Sequence, residues 1–266
     1  MQNNEKLLVV VDPTVQELYT LERVQTICKN RGAAHYPEVT LFISAAVGKG
    51  LKTADAIESR SLSWVSDLQQ VFIEMGVKCS SQISWDADWA KAVLKFSEAL
   101  GVDSIILPHR CGDSKQNLSD DFWYLVRNTT IPVSLLGESQ TDKRKVILVC
   151  RNTHEASLTD INTRTFEFAK KIAAANHATI HIVSSYPDSL NYPDRGSLLN
   201  DTELPNEQLH IKSGSPQHVI AEVAQDIDAD LIMLAVSRRN DLKTALMGRK
   251  MEKIIKGSNR DMILVV

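Results

Sequence analysis

Apolar and polar positions along the chain keep switching between a two-faced strand pattern and a helical period. Leu7-Leu-Val-Val-Val11 is an uninterrupted apolar run stopped by Asp12-Pro13, as expected of a strand buried on both faces of a parallel sheet. From Val15 to about Lys29, Leu18, Leu21, Val24, Gln25 and Cys28 recur at helical spacing. Val39-Thr-Leu-Phe-Ile-Ser44 reads as a strand, Ser61 to Met75 as a helix, and Cys79 to Trp85 as a weaker strand. Trp89, Ala92, Val93, Phe96 and Leu100 mark one helical face, and Ser104-Ile-Ile-Leu107 the next strand. Ser119-Asp120-Asp121 offers an N-cap and an acidic first turn to a helix through Val126; Ile131-Pro-Val-Ser-Leu-Leu136 closes the series.

The same order then starts again. Val146-Ile-Leu-Val-Cys150 matches the first strand, Thr165 to Ala175 the first helix, Thr179 to Val183 the second strand and Leu209 to Lys212 the third. Ser215 caps a helix over Pro216 to Asp226, with proline at its first position. Leu231 to Leu234 is the fourth strand, Lys243 to Lys256 the last helix, and Met262 to Val266 the fifth strand. Alternating strands and helices predict an α/β fold of two tandem doubly wound, five-stranded parallel sheets. The boundaries are 1–137 and 146–266, joined by a polar linker over 138–145. Between its second and third strands the second copy has only Tyr186 to Asn206, with Pro187, Pro193, Pro205 and Gly196. That composition predicts a loop, so the second copy is expected to lack its second helix.

The 266 residues are 43% hydrophobic and 24% charged, with a net charge of −3, a composition suited to a globular protein and without the basic stripe of a nucleic-acid binder. No run approaches a membrane span, and the polar Met1 to Lys6 does not read as a secretory signal, so the expected location is the cytoplasm. Cys28, Cys79, Cys111 and Cys150 lack metal-site spacing and read as reduced thiols.

Ala229-Asp-Leu-Ile-Met-Leu234, Gly248, a helix, and Asp261 to Val266 resemble the C-terminal half of a universal stress protein domain. Gly214-Ser-Pro216 followed by Val219-Ile220 and Val223-Ala224 does the same, and Ile131-Pro-Val133 is similar to the Cys-Pro-Val that opens the family's fifth strand. With the opening Leu7 to Pro13 and the tandem arrangement, the resemblance is closest to the two-domain E-type members of bacteria.

The resemblance implies a nucleotide site made of an Asp ending the first strand and a Gly-x2-Gly-x9-Gly-Ser/Thr loop after the fourth, glycines letting backbone N–H groups reach phosphate oxygens. The first copy keeps Asp12, but its loop is Pro108-His109-Arg110-Cys-Gly112, and Ser119-Asp120 stands where Gly-Ser would open the last helix. The second copy has Arg151 for the Asp, Ala235 and Arg238 for the first two glycines, and Gly248 followed by Arg249. Its Ser237-Arg238-Arg239 stretch could hold an anion through side chains. The candidate ligand residues are therefore Asp12, His109, Arg110, Ser237, Arg238, Arg239, Gly248 and Arg249. The reading is a degenerate site retained as fold, with no cofactor; the alternative is an ATP- or AMP-binding switch.

His177, His181 and His210 have no metal partners at workable spacing and read as sheet residues. Trp64, Trp85, Trp89 and Trp123 do not interleave with basic residues, which favours core or interface roles. No P-loop, no Gly-x-Ser-x-Gly elbow and no adenylate-forming loop is present, so catalysis is not expected. The function implied is stress response through binding of an unknown protein partner or small ligand, with no nucleic acid and no membrane span. An intrachain pseudo-dimer through Ile131 to Leu136 and Met262 to Val266 is implied by the family, and a homodimer stays open. Leu190, Tyr192, Leu198, Leu199 and Leu204 are expected to shield the second sheet; were they not to, that face would be a groove for a lipid-like ligand.

Overall fold

The computed structural model describes residues 4–13, 18–44, 62–111, 118–137, 145–151, 158–236 and 251–266. The chain forms two compact units, Met1–His109 with Leu118–Leu136, and Arg110–Asn117 with Gly137–Val266.

The first unit runs β1 (Lys6–Val11), α1 (Tyr19–Arg31), β2 (Glu38–Ser44), α2 (Leu62–Glu74), β3 (Cys79–Ser84), α3 (Trp89–Leu100), β4 (Ser104–Cys111), α4 (Asp120–Asn128) and β5 (Val133–Gly137). Its strand order is β3-β2-β1-β4-β5, with β1 parallel to both β2 and β4. Alternation explains the continuous apolar run of β1. Leu7, Val9 and Val11 join Val39, Leu41 and Ile43 under Leu21, Val24, Ile27 and Cys28 of α1 and Phe72 of α2. On β2 the intervening Phe42 meets Phe96 of α3 at 5.2 Å between ring centroids. The cap at Ser119 forms as expected, its Oγ accepting from the Phe122 N–H at 3.1 Å.

The second unit runs β6 (Val146–Cys150), α5 (Thr159–Asn176), β7 (Thr179–Tyr186), α6 (Arg195–Thr202), β8 (Leu209–Ser213), α7 (Pro216–Asp226), β9 (Leu231–Ala235) and β10 (Asp261–Val265). Residues 251–257 are helical. Strand order β8-β7-β6-β9-β10 repeats that of the first unit, and the pairs β6–β7, β7–β8, β6–β9 and β9–β10 are parallel.

The repeat extends to single hydrogen bonds. In the first unit the Asp103 carboxylate accepts from the Lys6 N–H at 2.8 Å, while the Asp103 N–H donates to the Lys6 carbonyl at 2.8 Å. In the second, Asp230 accepts from the N–H groups of Lys145 and Val146 at 2.7 and 2.9 Å and donates its own N–H to the Val146 carbonyl at 2.9 Å. Each copy thus uses one aspartate to lock its first strand to its fourth.

Two expectations are corrected. The segment between β7 and β8 is not wholly loop, and the second copy does not lack its second helix: an eight-residue α6 stands where the first copy has the 13-residue α2. Asp194 caps it, accepting from the Ser197 N–H at 3.1 Å, and the prolines flank the helix rather than enter it. Leu198 is buried and Leu199 and Leu204 pack on the same core, so the sheet face is covered there. Leu190 and Tyr192, expected to help, are 96% and 50% exposed. Secondly, β4 continues past Leu107 to Cys111, placing His109 in a strand rather than a loop. Pro108 forfeits one N–H but its φ suits extended backbone, so it does not end the strand.

Candidate functional site

Ligands of doubly wound sheets sit beyond the carboxyl ends of the strands, and the candidate residues fall there. In the first unit Asp12 follows the last residue of β1 and is partly exposed. His109 lies near the end of β4, 8% exposed, its ring 6.1 Å from that of Phe122 on α4. The first turn of α4 carries Asp120 and Asp121, and Ser119 already occupies a backbone N–H at that helix start. Two carboxylates at a positive helix end stabilise the helix and repel phosphate.

In the second unit Arg151 stands where the first copy has Asp12. Its N–H extends the ladder to the Val183 carbonyl at 2.9 Å, and its guanidinium meets Asp201 of α6 at 2.7 Å. The Arg151 side chain is 12% exposed, so this pair is partly withdrawn from water. The short helix therefore does two things: it covers the sheet and it neutralises the cation at the strand end. Gly214 opens the turn into α7 at φ +140°, and a Cβ there would meet Val219 Cγ2 at 3.2 Å, which accounts for glycine ahead of Ser215-Pro216. Ser215 occupies the N-cap position by backbone, without a side-chain cap hydrogen bond.

Ser237, Arg238, Arg239, Gly248 and Arg249 lie outside the described residues, as does the Arg110 side chain. Among the described residues, no group of three or more His, Cys, Asp or Glu is placed to hold a metal ion, and no helix is long and apolar enough to cross a membrane.

A family model described as "Universal stress protein family" matches residues 197–266. Universal stress protein E of Photorhabdus laumondii is 21% identical over 302 residues, covering 100% of this chain and 96% of the relative. Along its whole length the chain is similar to E-type universal stress proteins, and from residue 197 onward it matches the family's model. Two solved structures share its fold across both copies. One, described as a universal stress protein of Pseudomonas aeruginosa, covers 99% of this chain and 94% of that one at TM-score 0.73 and 21% identity. The other, a universal stress protein of Archaeoglobus fulgidus, covers 97% and 95% at TM-score 0.74 and 15% identity. The full-length match to E-type universal stress proteins agrees with the tandem arrangement.

Reasoning from sequence missed two contacts. Arg151 and Asp201 are 50 residues apart, and Asp201 fell in a segment read as loop. His181 and His210 were read singly, yet His181 Nδ1 and His210 Nε2 are 3.0 Å apart, with rings stacked at 20°. The usable signal was their positions in strands two and three of one copy, which are sheet neighbours.

Proposed function

We propose that the chain is a non-catalytic, cytoplasmic stress-response protein that acts by binding a partner protein or small ligand, and that neither copy holds ATP tightly. The observation supporting this reading is the fate of one nucleotide-facing position in each copy. In one copy the helix start that would face phosphate is capped by Ser119 and made acidic by Asp120 and Asp121; in the other the strand-end aspartate is Arg151, engaged by Asp201. Asp12, His109 and Arg110 would then be remnants of a nucleotide site rather than its parts.

The test is titration of ATP and AMP into nucleotide-stripped, full-length protein by calorimetry. No binding tighter than about 100 µM is expected. Tighter binding that disappears in an Arg238→Ala, Arg239→Ala double variant would replace this reading by a regulatory switch in which Ser237, Arg238, Arg239, Gly248 and Arg249 hold the phosphates. A lipid carrier is not proposed, because Leu198, Leu199 and Leu204 cover the face that such a ligand would need.

A further inference from the structure

The sheet of the second unit carries a feature outside the strand-end site. His181 on β7 and His210 on β8 belong to neighbouring parallel strands in which Val183 pairs with His210, so the two imidazoles sit diagonally on one face. The opposite face holds Ile180, Ile182, Leu209 and Ile211 in the core. Both imidazoles are partly exposed, with His181 Nδ1 and His210 Nε2 separated by 3.0 Å.

We propose that His181 and His210 form a two-imidazole site for a late first-row divalent metal ion, with water in the remaining coordination positions. Metal–imidazole bonds of about 2.0–2.1 Å place two nitrogens roughly 3 Å apart when they occupy adjacent positions at roughly 90°, and roughly 3.3 Å apart in a tetrahedron. The observed separation matches the first, the arrangement that Ni²⁺ and Cu²⁺ adopt. Each ring is neutral with one N–H, so His181 carrying its proton on Nε2 and His210 on Nδ1 frees both facing lone pairs. The ion takes the place of the bridging proton by a change of tautomer and a turn of the two rings toward it.

The surroundings suit this occupant. Burial holds the His181 imidazole below its ordinary pKa, and burial followed by His181 and Lys212 does the same for His210, so both are available as neutral ligands at pH 7. Lys212, the ammonium that acts on His210, is committed to Glu222 at 3.0 Å and Asp226 at 2.9 Å on α7, which offsets its charge toward an incoming cation. Arg195 lies toward His210 but donates to Asn206 and to the Leu209 carbonyl.

The experiment uses untagged, full-length protein and Ni²⁺, which thiols do not reduce. Calorimetry is run on wild type, His181→Gln and His210→Gln, and paramagnetic broadening of backbone amides is mapped on wild type. Expected are saturable Ni²⁺ binding, broadening centred on residues 180–183 and 209–211, and affinity at least about tenfold weaker in each variant, since loss of even an outer-shell partner costs that much. Mg²⁺ should neither bind nor compete. Wild-type affinity in both variants, or broadening centred on His35, His177 or His218, would overturn the proposal. The wild-type broadening map decides the matter by itself should a variant fail to fold.

Discussion

Arg151 and Asp201 meet at 2.7 Å across the carboxyl end of β6, joining the residue that stands where the first copy has Asp12 to a helix of eight residues. The guanidinium is largely buried and the carboxylate half-exposed, so the pair is worth more than a surface ion pair but is screened on one side. Asp201→Ala should lower stability by about 1 kcal/mol. Denaturant unfolding at low and high salt measures it; an unchanged midpoint at low salt would mean that the pair contributes nothing.

The two shared aspartates give an internal comparison. Asp230 accepts two N–H groups and is 9% exposed, whereas Asp103 accepts one and is exposed. Asp230→Ala should cost about 2–3 kcal/mol and Asp103→Ala about 1 kcal/mol, because truncation strands more buried donors in the second copy. Equal losses in urea unfolding would contradict this difference between the copies.

Cover of the second sheet is carried by α6 and not by the segment before it. Leu198→Ala should destabilise by about 2–4 kcal/mol through the cavity it leaves, whereas Leu190→Ala, at an exposed position, should stay within about 0.5 kcal/mol of wild type. Thermal melts of the two variants side by side provide the check.

Acidification tests the histidine pair. Because burial lowers both imidazole pKa values in the folded chain, the unfolded chain binds more protons as pH falls through 6.5. The stabilisation is therefore complete above 6.5 and is lost on going lower, with Lys212 and Arg195 adding to the repulsion and Asp226 opposing it. In metal-free buffer, Tm should fall from about pH 7.5 to about pH 5, and His210→Gln should flatten that dependence. A steeper fall in the variant would be the contrary result.

Burial also raises the thiols of Cys28 to about 11 and Cys79 to about 12, and pushes Cys150 up as well. All three should resist alkylation at about pH 8 in the native state and label readily in denaturant, as peptide mass spectrometry can show. Native labelling of Cys79 on the timescale of a free thiol would contradict this.

The strands were legible from sequence because a strand buried on both faces leaves an unbroken apolar run, as in Leu7 to Val11, and because the copies could be read against one another. Helix α7 was legible to the residue, since Ser215-Pro216 fixes its start. What escaped was either short or paired at a distance. Helix α6 is two turns long, and its prolines and glycine score as breakers although Pro193 and Pro205 bracket the helix and Gly196 sits in its first turn. The continuation of β4 through Pro108 was hidden by the same kind of rule. Of the candidate site, position along the strands was readable, but the partner of Arg151 and the approach of His181 to His210 depend on register between segments that no local pattern records.

Arg195 hooks residues 195–209 shut, donating to Asn206 Oδ1 at 2.8 Å, to the Asn206 carbonyl at 3.1 Å and to the Leu209 carbonyl at 3.4 Å. That tie holds α6 in place by itself and does not involve the stretch before it, where Leu190 is 96% exposed. The stretch around Ser189 to Asn191 can therefore lengthen, shorten or change character over evolutionary time without disturbing the hydrophobic contacts of Leu198, and in an engineered chain it is the natural place to splice in a foreign peptide.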